Sequence, residues 1–468
     1  MGALIPEVLR TERQFARLFV GQSLSTLGDR VSFVALPFAV LSIGGSAVDV
    51  GLVTAAGLLP LLVFTLVGGV WADRVPRRRI MLASDLLRCV VQTAVAVLLL
   101  TGTARVGLLA LLMALFGVAD AFFLPASTGL LPLLVPADRL REANALSGFV
   151  QSTGLVVGPA LAGLLIAAVG PGGALAMDAA SFAASAAVLA RMGAVDGAVA
   201  LGGADGGAGR GERLGFPAEL RIGWQQVRSR TWVWSGMLAM AVYHVVVLPS
   251  VFVLGPVLAE REWGGANAWT VVVIAFGLGS IVGDVCSYRL RPARPMAVAA
   301  VAMAVASCQA AIIGSGAPVW VIAALEAVTG VGVSLFFVLW ETSLQVHIPE
   351  RVLSRVSSYD HLIAVALMPL GLVLAGPLSE SLGVRPTLFG MTALAVPVAF
   401  ALLALPAVRH LPASRPSEPE SEPEPEPAAG SGPEPEPVPG VGTAAGAAGG
   451  AVEAAGRREA APEAEAAV

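Results

Sequence analysis

Apolar runs of about 20 residues recur along the chain between short polar loops, and each is long enough to cross a hydrocarbon core of about 30 Å as a helix. They lie at 15–42, 46–70, 79–101, 106–134, 143–169, 174–192, 231–258, 267–288, 296–315, 318–342, 356–378 and 385–408. The pattern predicts an all-α integral membrane protein with twelve transmembrane helices. Two stretches break it. Residues 193–215 are rich in Gly and Ala and predict a flexible linker, and "FPAELRIGWQQVRSR" behind them predicts a short amphipathic helix, with Leu220, Trp224 and Val227 on the face opposite Arg221 and Arg228. From residue 411 the chain becomes Pro/Glu-rich and then Ala/Gly-rich, with 11 Glu against 3 Arg, a composition that cannot bury a core and predicts disorder. Four regions follow: a six-helix bundle over 1–192, a linker with its short helix over 193–230, a second six-helix bundle over 231–410 and an acidic tail over 411–468.

Composition agrees with a bilayer. Of 468 residues, 56% are apolar and 13% charged, too little polar surface to cover a water-soluble globule of this size. All 29 basic residues are arginine, so a Walker-type phosphate loop and lysine Schiff-base chemistry are both excluded. No cofactor, metal or nucleic acid is expected, and no enzymatic activity. The arginines are lopsided: 24 fall on one side of the predicted spans and only Arg105, Arg261 and Arg385 on the other, which predicts both termini in the cytoplasm of a multi-pass inner-membrane protein. Residues 1–14 carry Glu7, Arg10, Glu12 and Arg13 and do not read as a separate signal peptide. Cys89, Cys286 and Cys308 fall in apolar spans without pairing or metal spacing and read as small packing residues.

The halves are related in sequence. Offset by 213 positions, "PADRLREANALSGFVQSTGLVVGPALAGLLIAAVG" (136–170) lies over "PERVLSRVSSYDHLIAVALMPLGLVLAGPLSESLG" (349–383), aligning Gly158, Gly163 and Gly170 with Gly371, Gly376 and Gly383. An ungapped match through a loop and a whole span points to duplication, and parallel repeats of this kind build one large class of transporter.

Ionisable residues at membrane depth are costly and mark functional candidates. Asp29 and Asp120 each lie about 20 Å along their helices from the entry side, at 1.5 Å per residue, and are the leading proton-coupling candidates. Arg30 points about 100° away from Asp29 around the helix, so a partner on another helix is expected, Asp120 among the candidates. Glu326 lies nearer the outer side, as a possible external proton acceptor. Asp178 and His244 are weaker candidates, and Asp85 and Arg88, spaced i, i+3, read as a local pair. Phe122, Phe123, Trp232, Trp234, Phe336, Phe337 and Trp340 are candidates to line an apolar cavity, or to face lipid.

Three motifs carry a resemblance. Gly69-x-x-x-Asp73-Arg74-x-x-Arg77-Arg78, between the second and third spans, resembles the loop signature of the major facilitator superfamily, with Pro76 in place of the usual glycine and Met81 in place of the usual leucine. Gly154-x-x-x-Gly158-Pro159-x-x-Ala162-Gly163, in the fifth span, resembles the motif of proton-coupled exporters of that superfamily, Ala162 replacing a glycine. "LSTLGDRVSFVALP" and "ADAFFLPASTGLLPLLVP" resemble the twelve-span branch that includes macrolide and siderophore exporters. The resemblance implies the major facilitator fold and a functional monomer that exports a small, largely apolar organic compound in exchange for protons by alternating access. Export of a self-made siderophore or antibiotic, and a membrane sensor or scaffold without transport, are the other readings. Gly69, Asp73, Arg74, Arg77 and Arg78 would form a latch: Asp73 would accept hydrogen bonds from a helix start in the other half, while the arginines grip carboxylates and lipid phosphates. The plainer reading of the arginines is a topology anchor.

Overall fold

The structure, a computed structural model, describes residues 6–72, 75–193 and 216–414. Among them every regular element is helical, as lipid requires of a chain whose backbone donors and acceptors must be satisfied within each segment. In the N-terminal half, α1 is Arg13–Ser42, α2 Ala47–Ala72, α3 Arg77–Leu100 and α4 Val106–Leu134. The next 52 residues, Leu140–Arg191, run as one assigned helix, but Gly170 has φ 74° and ψ 173° and divides it into limbs α5 (140–169) and α6 (171–191). The limbs are about 45 and 31 Å long, each enough for the membrane core. Eleven helices among the described residues are long and apolar enough to cross a membrane, one fewer than expected, because the predicted spans 143–169 and 174–192 join through a kinked glycine without a loop.

The C-terminal half begins with the short helix α7 (Phe216–Arg228), whose Val227 is buried and whose Trp224 ring lies 5.9 Å from that of Tyr359. Arg221 and Arg228 are exposed, and so is Trp224, which the amphipathic reading puts on the apolar face with Val227. Then come α8 (Thr231–Trp263), α9 (Ala266–Arg289), α10 (Pro295–Gly314), α11 (Val319–His347), α12 (Val352–Leu382) and α13 (Val384–Ala404). Helix α8 takes π-helical turns at Tyr243–Val247, Ser250–Leu254 and Ala259–Trp263; Pro249 and Pro256 stand beside the first two, and their missing N–H groups shift the hydrogen-bond ladder. The expected linker over 193–215 and the acidic tail lie, but for residue 193 and residues 411–414, outside the described residues.

The duplicated glycines do the same work twice. Gly158 of α5 faces the first membrane helix of its half, where a Cβ would lie 2.2 Å from the Arg30 Cβ; Gly371 of α12 likewise faces the first membrane helix of its own half, α8, where a Cβ would lie 2.0 Å from the Val245 carbonyl oxygen. Gly163 packs on Thr270 at the start of α9 and Gly376 on Val48 at the start of α2, so each repeat grips the second helix of its opposite. Gly170 and Gly383, at φ 74° and 91°, make the two kinked junctions that follow. The offset extends further: α4 and α11 have 29 residues each and begin and end 213 positions apart.

Packing differs between the two ends. At the end carrying the α1–α2 turn, one hydrophobic core runs through both halves, from Phe38 and Val50 to Leu254, Trp269 and Leu372. At the end carrying the N-terminus there are two cores, one around Phe15, Met81 and Leu130 and one around Trp232, Trp340 and Leu344. The halves meet chiefly where α2 packs on α12 and α5 on α9.

Candidate functional site

Where the N-terminal half turns inward it encloses a cavity of about 260 Å³, and Asp29 of α1 and Asp120 of α4 both line it. Its other polar walls are Gln22, Ser25 and Thr26 of α1, Ser127 of α4 and Gln151 of α5; Leu61 and Phe123 supply apolar surface. One turn beyond Asp29, Phe33 meets Phe252 of α8 edge-on at 4.9 Å and closes this region against the shared core.

Arg88 of α3 organises the charge. Its side chain is 2% exposed, donates to Asp120 Oδ1 at 2.8 Å through Nη1 and to Asp85 Oδ1 through Nη2. The guanidinium lies between two rings, 4.0 Å from the centroid of Phe123 and 4.5 Å from that of Phe182. Two carboxylates and two aromatic faces replace the water that a buried guanidinium has lost. Asp85 Oδ2 accepts a further bond from Ser185 Oγ of α6 at 2.6 Å, so α3, α4 and α6 are tied together through one arginine. A second buried carboxylate, Asp178 of α6, is 0% exposed and accepts from Ser32 Oγ, from Gln92 Nε2 at 2.6 Å and from Ser181 Oγ at 3.3 Å. Asp29 alone of these carboxylates has no hydrogen-bond partner among the described residues.

The expected pair of Asp85 and Arg88 is present as one arm of this larger cluster. The expected partner of Arg30 is corrected: Asp120 belongs to Arg88, and Arg30 donates to Gln151 Oε1 at 3.1 Å. The reason is room. Gly154 and Gly158 leave a groove on α5 into which the Arg30 stem fits, directing its guanidinium along α5 rather than toward α4. Pro159 is buried beside them. Glu326 of α11 is 1% exposed, and accepts from Gln309 Nε2 at 2.8 Å and Thr329 Oγ1 at 2.9 Å; Tyr243 in turn donates to Gln309 at 3.0 Å. It therefore sits inside the C-terminal bundle. His244 bonds the Met240 carbonyl oxygen of its own helix at 2.8 Å through Nδ1. Of the aromatic candidates, Phe123 lines the cavity, whereas Phe336 stacks on Trp340 and Trp232 meets Trp340 edge-on in the core. The sequence reading missed Gln92, Ser32 and Ser185, whose polarity in apolar spans was the available signal.

At the α2–α3 turn, Asp73 and Arg74 lie outside the described residues, and of Gly69 only its place in α2 is described. Arg77 and Arg78 are described, and both donate to backbone carbonyl oxygens of their own bundle. Arg77 donates to the Gly129 carbonyl oxygen; Arg78 donates through Nε to that of Leu189 and through Nη2 to that of Ala190, each at 2.7 Å. Leu189 and Ala190 lie in the last turn of α6, where carbonyl oxygens lack i+4 donors, and a cation there also meets the negative end of the helix dipole. No group of His, Cys, Asp and Glu among the described residues is placed to hold a metal ion, and the cysteines are unpaired.

Comparison with known proteins places this arrangement. The model of the family described as transmembrane secretion effector, a major facilitator family, matches residues 8–431. The multidrug efflux pump Tap of Mycolicibacterium fortuitum is 30% identical over 404 residues, covering 83% of this chain and 95% of that protein. Macrolide efflux protein A of Streptococcus pyogenes is 23% identical over 387 residues, 80% of this chain and 91% of that protein. Among solved structures, a bacterial homologue of the iron transporter ferroportin in its inward-facing state aligns with a TM-score of 0.62 at 18% identity, over 83% of this chain and 98% of that one. The nucleoside transporter NupG aligns with a TM-score of 0.62 at 13% identity, over 84% and 98%.

Proposed function

The chain belongs to the transmembrane secretion effector family of major facilitator transporters, and on that basis we propose that it exports a small, largely apolar organic compound, of drug or antibiotic type, in exchange for protons by alternating access. It is a multi-pass membrane transporter of small molecules and not an enzyme. The observation that carries the coupling is the cavity in which Asp29 and Asp120 face one another's helices with Arg88 behind them. Arg88 has two carboxylate partners, so when Asp120 takes a proton the guanidinium keeps Asp85 and no buried charge is stranded. Asp29, without a partner, is the second carrier, and the buried Glu326 a third in the other half. One proton entering down about 150 mV supplies on the order of 3.5 kcal/mol, enough for a gradient of a few hundredfold per neutral molecule moved.

The single core at one end and the paired cores at the other support a form closed outside and parted inside, with both termini in the cytoplasm. The two six-helix bundles would rock about the α2–α12 and α5–α9 contacts, with the Gly154, Gly158, Pro159 and Gly163 surface of α5 bearing on one of them. Gly69, Asp73 and Arg74 would latch the inner side when it closes, with Arg77 and Arg78 fixing the loop to its own bundle. The deciding experiment is Asp120→Asn, which keeps the volume and removes the titration. Active efflux from cells should disappear while substrate counterflow in vesicles persists. Efflux against a gradient at the wild-type rate would overturn the assignment. Reporter fusions at the C-terminus should read as internal and one at Glu260 as external.

A further inference from the structure

Arg77, Arg78 and Arg79 are consecutive, and the structure gives them different work. Arg77 and Arg78 are bound to carbonyl oxygens of α4 and α6. Arg79 is exposed and has no hydrogen-bond or ion-pair partner among the described residues. It stands at the mouth of a separate cavity of about 440 Å³ between α3 and α4, walled by Ile80, Ala83 and Leu87 on one side and Val118 and Phe122 on the other. This groove lies on the outside of the bundle. Ala83 and Leu87 are exposed, as are Leu86 and Val90 on α3 and Leu108, Leu111 and Leu115 on α4.

Length and charge together identify the occupant. From Arg79 to Leu87 the groove runs about 12 Å at 1.5 Å per residue, most of one leaflet of a hydrocarbon core about 30 Å thick. It therefore takes most of one acyl chain, is largely apolar along its walls, and ends at a guanidinium on the polar side. We propose that the α3–α4 groove is a binding site for an anionic phospholipid, with one acyl chain between Ala83, Leu87 and Phe122 and the phosphate on Arg79. Both walls belong to one bundle, so the lipid stays in place as the halves move. A guanidinium suits the phosphate because its planar donors pair with two oxygens at once. Neither of the neighbouring arginines can substitute, since each would have to abandon a backbone carbonyl.

Native mass spectrometry of the purified full-length protein, incubated with phosphatidylglycerol and phosphatidylcholine of identical chains, tests this. The wild-type protein should retain phosphatidylglycerol preferentially. Arg79→Gln should lower that preference about fivefold, the worth of one basic residue at a membrane surface. Ala83→Phe fills the groove at an exposed position and leaves the charge, and should reduce retention of both lipids. Arg289→Gln, which removes another exposed arginine at the same end of the membrane, should change neither. Retention by Arg79→Gln equal to wild type overturns the site. Loss with Arg79→Gln but not with Ala83→Phe overturns the groove and leaves only surface charge.

Discussion

At the place where the N-terminal half carries Asp120 on α4, the C-terminal half carries Val333 on α11; where Asp178 is buried on α6, Met391 is buried on α13. The exchange also runs the other way, since the buried acid Glu326 takes the position of Met113. These pairs all stand 213 positions apart, in helices whose packing matches closely. A Cβ on Gly117 would lie 1.9 Å from the Gly57 carbonyl oxygen, and one on its counterpart Gly330 would lie 2.2 Å from that of Phe276. Backbone approach has thus been kept in both copies while the polar residues have been placed independently. Close crossings are fixed by sterics, which any change in either copy violates. Buried charges are fixed by their partners, and those need exist only once. One half holds a network around Arg88 that joins three helices; the other holds a smaller chain from Tyr243 through Gln309 to Glu326.

Breaking the comparison begins with Arg88. Arg88→Leu strands Asp85 and Asp120 without a cation and should cost about 3–5 kcal/mol, seen as a large fall in the thermal midpoint in detergent. Adding Asp85→Asn and Asp120→Asn should recover most of that stability without recovering efflux. Unchanged stability in Arg88→Leu would mean that the cluster does not hold the half together. Next come Gly117→Ala and Gly330→Ala, each pressing a methyl into a carbonyl of the facing helix. Overpacking of this kind costs about 1–3 kcal/mol, and the two losses should be alike because the scaffold is shared. A large loss in one and none in the other would show that the duplication no longer governs packing.

Smaller still is Glu326→Gln. The amide oxygen can accept the bonds from Gln309 and Thr329, so the thermal midpoint should fall by no more than about 1 kcal/mol of stability. Its effect on proton-driven efflux sharpens the comparison: a weaker defect than that of Asp120→Asn places the principal coupling in the N-terminal half, and an equal one distributes it over both. Smallest of all is removal of residues 415–468, which should leave efflux and membrane abundance unchanged, as a tail with 11 Glu and almost no apolar residues larger than Ala and Val adds no packing. Loss of activity at normal abundance would contradict this.

Membrane spans were legible because the signal is one-dimensional: a run of apolar residues of the right length has one solution in lipid, and α4 came out with the predicted bounds 106–134. The internal duplication was legible for the same reason, since equal spacing along the chain survives folding. The motif positions Gly154 and Gly158 could be named from spacing, but their use could not; the structure shows the Arg30 stem lying over them.

What the sequence by itself determined, then, is where the chain crosses and which residues at depth carry charge. Which charges meet was decided by the tertiary structure. Arg88 is spaced from Asp85 as a helical neighbour, but Asp120 stands 32 residues further on and Ser185 is 100 residues from Asp85. Local periodicity orients a side chain around its own helix axis and says nothing of the neighbouring helix. The pairing of Arg30 with Gln151 follows from the glycines of α5 that let α1 approach, and that of Arg88 with Asp120 from the packing of α3 on α4, properties of packed surfaces that no single stretch of chain contains.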